Sequence, residues 1–288
     1  MIWIETLLNG IFLGALYGVL GLGLALVFGV MRVINVSHGE FIVLAAYLGA
    51  FLAAAFPQIT PLLFVFPIVV AGFAVGWAYQ TTLLNRVVGA PNPLVPMLLT
   101  FGVSIVLRNL MLEVFGSNQT AINPGPVAQA SLVVFGVHLG VLPLITLGLS
   151  IALFGALSYA VRHTTLGRMV RATADDPRII RLMGVDPRRI YALVMGVSLA
   201  LAGVAGLLLA MRTSFNAASG VDRILISFEV VVLGGLGSFW GALLAGIMLG
   251  VTQLVGFRFD ANSGLLYAHI LFFAFLVVRP NGLFGARR

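Results

Sequence analysis

Asn35, Ser37, His38, Gly39 and Glu40 fall together in the stretch VINVSHGEF between two long apolar segments, and a lone carboxylate, Glu229, sits in the apolar run ISFEVVVLGGLGSFWGAL. Ionisable groups at membrane depth are expensive and face a cavity or one another when present. Inside a bilayer the 35–40 cluster is a break between half-helices, with free backbone groups able to bind a small zwitterion. At the cytoplasmic edge it is instead a turn in which Ser37 caps the next helix and Glu40 completes a capping box. Spacing alone leaves both readings open. Glu229 has two readings of its own: an ion pair with Arg223 or Arg212 near the outer surface, or a place beside a solute path, with Gly234, Gly235, Gly237 and Gly241 letting the chain turn sharply. The candidate path residues are therefore Asn35, Ser37, His38, Glu40 and Glu229.

Other chemistry is limited by what the chain lacks. It has no cysteine, which removes disulfides, thiolate metal sites and cysteine nucleophiles together. All sixteen basic residues are arginine, and a P-loop needs a lysine to reach nucleotide phosphates, so the chain is not itself a P-loop ATPase. His38, His138, His163 and His269 are widely separated and show no His-x-x-x-His spacing, which argues against a metal site. No Gly-x-Ser-x-Gly elbow occurs, and the adjacent acids Asp175 and Asp176 are taken by a capping role. No catalytic residue, cofactor or metal is expected.

Charge gathers in one place. Positions 162–189 hold seven of the sixteen arginines and three of the nine acids, in a chain only 9% charged. Asp176 followed by Pro177 is a helix start, because the carboxylate can cap free backbone N–H groups and proline has no N–H to lose at the first helical position. Gly184 after Met183 is a helix stop, and Asp186 with Pro187 repeats the start signal before the apolar run from Tyr191. The spacing predicts a short helix over about 177–183 set between two membrane spans. Its apolar residues Ile179, Ile180, Leu182 and Met183 exceed what a solvated loop needs. Arginines that only enforce topology and hold anionic lipid headgroups would explain the charge, but not the paired caps. The short helix therefore reads as a knob that fits a groove on a cytoplasmic partner.

These residues need elements to position them. Soluble domains are roughly 25% charged, and a chain that is 60% hydrophobic cannot cover its surface with polar groups. A span takes about 20 apolar residues, and apolar runs place spans near 7–29, 38–56, 60–82, 94–115, 140–161, 191–211, 240–257 and 264–278, with a shorter run at 224–236. The N-terminal stretch MIWIETLLNG has no basic region or small-residue cleavage site, and reads as retained membrane helix. With the 162–190 loop in the cytoplasm, alternation puts Arg32, Arg86, the seven loop arginines, Arg279, Arg287 and Arg288 inside, and Arg108, Arg212, Arg223 and Arg258 outside. That bias places the N-terminus outside and the C-terminus in the cytoplasm. It also requires 224–257 to start and finish on the outer side, either with 224–236 crossing as a broken helix or with the whole unit re-entrant. Arginines at the ends of apolar runs argue against nucleic acid as a partner, and membrane lipid is expected around the chain. Gly10, Gly14 and Gly18, and Ala242, Gly246 and Gly250, recur every four residues and give each helix a flat stripe for close approach. The expected fold is all-α: one polytopic transmembrane helical bundle over 1–288, about eight spans with one or two broken or re-entrant, and a cytoplasmic loop at 162–190 carrying the short helix.

The run GRMVRATADDPRIIRLMGVDPRRIYALVMGVSLALAGVAGLLLA, 167–210, resembles the coupling-loop region of permease subunits of bacterial ATP-binding-cassette importers for branched-chain amino acids, LivH-type. GLGLALVFGVMRVINVSHGEFIVLAAYLGAFL and VVLGGLGSFWGALLAGIMLG extend the resemblance over most of the chain. It implies a permease without chemistry of its own, in a bacterial inner membrane, that moves leucine, isoleucine or valine by alternating access. The implied partners are a homologous second permease, two cytoplasmic ATP-binding subunits and a periplasmic solute-binding protein. Asp175, Asp176, Arg178, Ile179, Arg181, Leu182, Met183 and Gly184 fall in the stretch that meets the ATPase, where Pro177 with Arg178 departs from the helix formers expected of the family. Related permeases carry urea, short amides or aromatic acids, so the resemblance alone does not fix the solute. The rival reading is a self-contained ion-coupled secondary transporter or channel, in which Glu40, Glu229 and His38 serve proton coupling.

Overall fold

A computed structural model describes residues 2–134 and 137–284, and these are mostly helical. In chain order the elements are α1 (Ile2–Met31), α2 (His38–Ala55), α3 (Val65–Thr82, led in by a 3-10 turn at Pro61–Phe64), α4 (Leu94–Phe115), α5 (Pro126–Gln129), the strands β1 (Ser131–Val134) and β2 (Val137–Gly140), α6 (Val141–His163), α7 (Thr165–Asp175), α8 (Pro177–Leu182), α9 (Pro187–Ala210), α10 (Gly220–Gly234), α11 (Phe239–Phe259) and α12 (Gly264–Val278). The strands form an antiparallel hairpin with Ser131 opposite Gly140. Arg287 and Arg288 lie outside the described residues.

Each of the eight expected spans is a helix. Seven are long and apolar enough to cross a membrane, and α12, with 15 residues, is about 22 Å long at 1.5 Å per residue. The Arg-rich segment between α6 and α9 marks one end of the bundle, the basic end. Trp3, whose ring lies 6.3 Å from that of Phe259, marks the far end.

Two helices form the centre. α1 and α9 are buried along most of their length and run antiparallel: Ser198 Oγ donates to Gly23 O at 2.8 Å, and Arg212 Nη1 to Phe12 O at 3.2 Å. The predicted small-residue stripes meet each other. A Cβ added to Gly14 would run into the Gly246 carbonyl at 2.5 Å and into the backbone of Ile247, and one added to Gly10 would lie 2.7 Å from Val251 Cα. Helices in lipid gain nothing from hydrophobic exclusion between them, so close backbone packing has to hold α1 to α11.

The 224–257 unit finishes at the far end, but it begins at depth beside Gly39 and Glu40, so its halves are unequal. α10 begins at Gly220 against Gly39 and Glu40, descends past Gly21, and ends in a turn whose Gly237 Cα sits 3.2 Å from where a Gly29 Cβ would be. With 15 residues it covers about 22 Å, a broken crossing. α11 then returns the whole way, where Arg258 Nε donates to Thr6 Oγ1 at 2.9 Å. The segment after α12 closes the turn: Leu283 N–H donates to Leu233 O at 2.8 Å and Phe284 N–H to Gly234 O at 3.2 Å.

Gly14→Val should lower the thermal unfolding midpoint of the detergent-purified chain, since overpacking a tight contact costs about 1–3 kcal/mol. Gly102→Ala, with nothing within 4 Å of the new Cβ, should leave it unchanged. Equal midpoints for the two would show that the stripe does not hold the helices together.

Candidate functional site

α1 ends at Met31, and Arg32 takes a left-handed backbone with φ of 53°, unusual for a residue with a side chain. The chain folds back along α1, and His38 Nε2 comes to 3.1 Å from Leu20 O. Leu20 lies eleven residues before Met31, so α2 starts about 16 Å in from the end of α1. The 35–40 cluster is thus a break at depth within the bundle. Its bonds run inward. Ser37 Oγ donates to Asn35 Oδ1 at 2.6 Å and lies 3.0 Å from the Tyr79 hydroxyl, while Asn35 Nδ2 points at Met195 Sδ, 3.8 Å away. Thr100 Oγ1 accepts from Val36 N–H at 3.1 Å, satisfying a backbone donor that the unwound segment leaves free.

The capping-box alternative does not form. Ser37 stands at the N-cap but its side chain caps nothing, because its hydroxyl is engaged by Asn35. Glu40 turns the other way: its Oε1 accepts from Arg108 Nη2 at 2.8 Å and from Nε at 3.2 Å. Arg108 lies two turns before the end of α4, paired with the Glu40 carboxylate. Separately, an apolar groove of about 280 Å³ lies between α2, α3, α4 and α9, lined by residues including Phe41, Leu44, Leu48, Phe51, Ile68 and Phe115, and neither Glu40 nor Arg108 lines it.

Glu229 is buried but pairs with neither expected arginine. Its Oε1 lies 2.6 Å from Nδ1 of His269 on α12. Arg212 is instead held by the Phe12 carbonyl, and Arg223 Nε has no hydrogen-bond partner. One helix away, the Tyr17 hydroxyl donates to Gln253 Oε1 at 2.6 Å. The predicted path residues therefore fall in two places: Asn35, Ser37, His38 and Glu40 at the head of α2, and Glu229 between α10 and α12.

At the basic end the predicted short helix is α8. Asp176 Oδ1 accepts from Arg178 N–H at 2.7 Å, and Asp186 Oδ1 accepts from Arg188 N–H at 3.0 Å at the head of α9. Gly184 adopts φ of 81°, Gly184 N–H donates to Arg181 O, and Val185 N–H to Ile180 O; this pair of bonds closes a helix through a left-handed glycine. Ile180 is 2% exposed, whereas Leu182 is 89% and Met183 74% exposed. One apolar residue anchors the knob and the others face out. The loop also holds a helix that charge density hid, α7, capped by Thr164 Oγ1 accepting from Gly167 N–H at 3.0 Å and inclined on α6 where Gly167 touches the Ala160 and Val161 carbonyls. Thr164 and Thr165 after His163 were its available signal.

Four working residues were not singled out for these roles: Tyr79, Thr100, Arg108 and His269. Each sits inside an apolar span at least 40 residues from its partner, and no local pattern connects them. Lone polar residues within spans were the signal, and they name candidates without pairing them.

A many-span apolar helical bundle with a polar break at depth and a short helix projecting from one end is the architecture of a polytopic membrane protein. The chain belongs to the family described as branched-chain amino acid transport system / permease component, whose model matches residues 6–278. It is similar to the high-affinity branched-chain amino acid transport system permease protein BraD of Pseudomonas aeruginosa, 28% identical over 98% of this chain and 96% of BraD. Against permease protein LivH of Escherichia coli K12 it is 27% identical over the same shares. Against permease protein LivM of that strain it is 29% identical over 95% of this chain and 68% of LivM.

His269→Ala leaves the buried Glu229 Oε1 without its hydrogen-bond partner, and an unmade buried hydrogen bond costs about 1–3 kcal/mol. It should lower the unfolding midpoint more than Glu229→Gln, which keeps a neutral acceptor of the same shape. The reverse order would show that His269 is not what satisfies Glu229.

Proposed function

We propose that the chain is one permease subunit of an ATP-binding-cassette importer that carries leucine, isoleucine and valine across the bacterial inner membrane by alternating access. ATP binding and hydrolysis belong to two cytoplasmic partner subunits, a homologous permease completes the membrane unit, and a periplasmic binding protein delivers the solute. In this reading the basic end and the C-terminus are cytoplasmic and the N-terminus faces out. The observation that carries it is α8: a rigid helix closed by side chain and backbone at its two ends, rooted by Ile180, with Leu182 and Met183 turned outward.

Asp175, Asp176, Arg178, Ile179, Arg181, Leu182, Met183 and Gly184 form the contact with the ATPase. Nucleotide acts there by favouring one arrangement of the bundle, since a ligand with equal affinity for two states shifts neither. α7, packed on the end of α6, and α9, which starts four residues after Met183 and runs through the core, connect α8 to the path. Asn35, Ser37, His38 and Glu40 line the path at the head of α2, and Glu229 shapes its second wall from α10.

ATP-driven uptake of leucine into proteoliposomes holding the complete complex tests the assignment. Gradient-driven uptake by the lone chain, with no ATPase present, would favour the ion-coupled rival. Within the complex, Leu182→Glu and Met183→Glu should each reduce uptake at least about tenfold, the equivalent of about 1.4 kcal/mol, and weaken co-purification of the ATP-binding subunits. The permease's own unfolding midpoint should not move, because both side chains are exposed. Asp176→Ala, removing a cap worth about 1 kcal/mol, should reduce uptake less. Normal uptake by Leu182→Glu would detach α8 from the drive.

A further inference from the structure

We propose that Glu40 and Arg108 are the groups that receive the charged ends of the transported amino acid, Glu40 taking the α-ammonium and Arg108 the α-carboxylate. This rests on the reading of the chain as an amino-acid permease and makes it specific to a zwitterion.

The ion pair is not built like one that only holds helices together. A structural pair at this depth must satisfy both carboxylate oxygens to offset the cost of leaving water. Here Arg108 spends Nε and Nη2 on the same oxygen, Oε1. The other, Oε2, is buried and has no hydrogen-bond partner, although Glu40 is only 2% exposed. Oε2 packs directly on Gly220, where a Cβ would collide with the carboxylate, so only glycine at the first residue of α10 lets Glu40 take this position. An acceptor left unmade in a dry site costs about 1–3 kcal/mol, and more when charged. An ammonium group, all donors and no acceptor, supplies what Oε2 lacks.

Arg108 is the complementary half. Its side chain is 31% exposed where Glu40 is closed off, and Nη1 makes no bond to Glu40. A planar guanidinium matches a carboxylate through two parallel N–H bonds. An amino acid entering between the two charges exchanges one contact for two and adds no net charge to a low-dielectric region. A neutral amide or urea has no charge to set against the existing pair and is disfavoured on that account.

The test uses the complete complex in proteoliposomes, with leucine supplied on its binding protein and assembly checked by size-exclusion chromatography with the ATP-binding subunits. Glu40→Gln and Arg108→Gln should each cut ATP-driven leucine uptake at least about tenfold. The double variant Glu40→Gln with Arg108→Gln, which buries no unpaired charge, should stay as low. Its recovery to within about twofold of the wild type would overturn the proposal, since a purely structural pair is relieved by neutralising both members. If the neutral variants fail to assemble, Arg108→Lys decides. It keeps the charge and loses the planar fork, and the KM for leucine should rise at least about fivefold; an unchanged KM overturns the assignment. A wild-type complex that moves none of leucine, isoleucine or valine defeats the functional reading, whereas an active wild type with indifferent variants defeats the site alone.

Discussion

No backbone N–H or C=O can be left without a partner where water does not reach, and the connection between α1 and α2 is where this chain meets that rule most severely. Six residues unwind at depth to let α2 start beside Leu20 instead of at the surface. They are held by side chains from α3, α4 and α9, namely Tyr79, Thr100 and Met195. The identity of those helices follows from the constraint. Each must pass the break at the height of the group it satisfies, which sets their depths against α1. Glu40 then falls opposite Arg108 on α4 and beside the first residue of α10.

The same depth explains the unequal crossing of α10. A full-length helix there would need the space that the head of α2 occupies. The chain instead turns over Arg212–Ser219 and enters at the level of Glu40, so the two broken elements, α2 and α10, meet end to side where the polar groups are. Small residues at Gly39 and Gly220 permit the meeting, and larger ones would separate the elements by the width of a side chain.

Local chemistry was legible in the sequence, and distance in space was not. Asp176 and Asp186 cap the helices their proline neighbours announced, Gly184 stops α8 as its position implied, and the two small-residue stripes mark a close helix contact. These signals lie within a few residues or along one helix face. Hydropathy gives the length of a span but not the level at which it starts, so the depth of the 35–40 cluster stayed open until His38 was placed against Leu20. Glu229 was assigned arginines near it in sequence. Its partner is 40 residues away on α12, reached by the hairpin that α11 and α12 make, and nothing in either segment alone encodes that approach.

The closure of α10 by Leu283 and Phe284 carries a consequence for biosynthesis. The carbonyls of Leu233 and Gly234 find their donors some fifty residues later in the chain, after two further helices have been made. During insertion the α10–α11 turn is therefore incomplete, with acceptors open at its tip, until the ribosome has passed residue 284. Maturation of the turn beside Gly29 is in this way timed by the segment that follows α12.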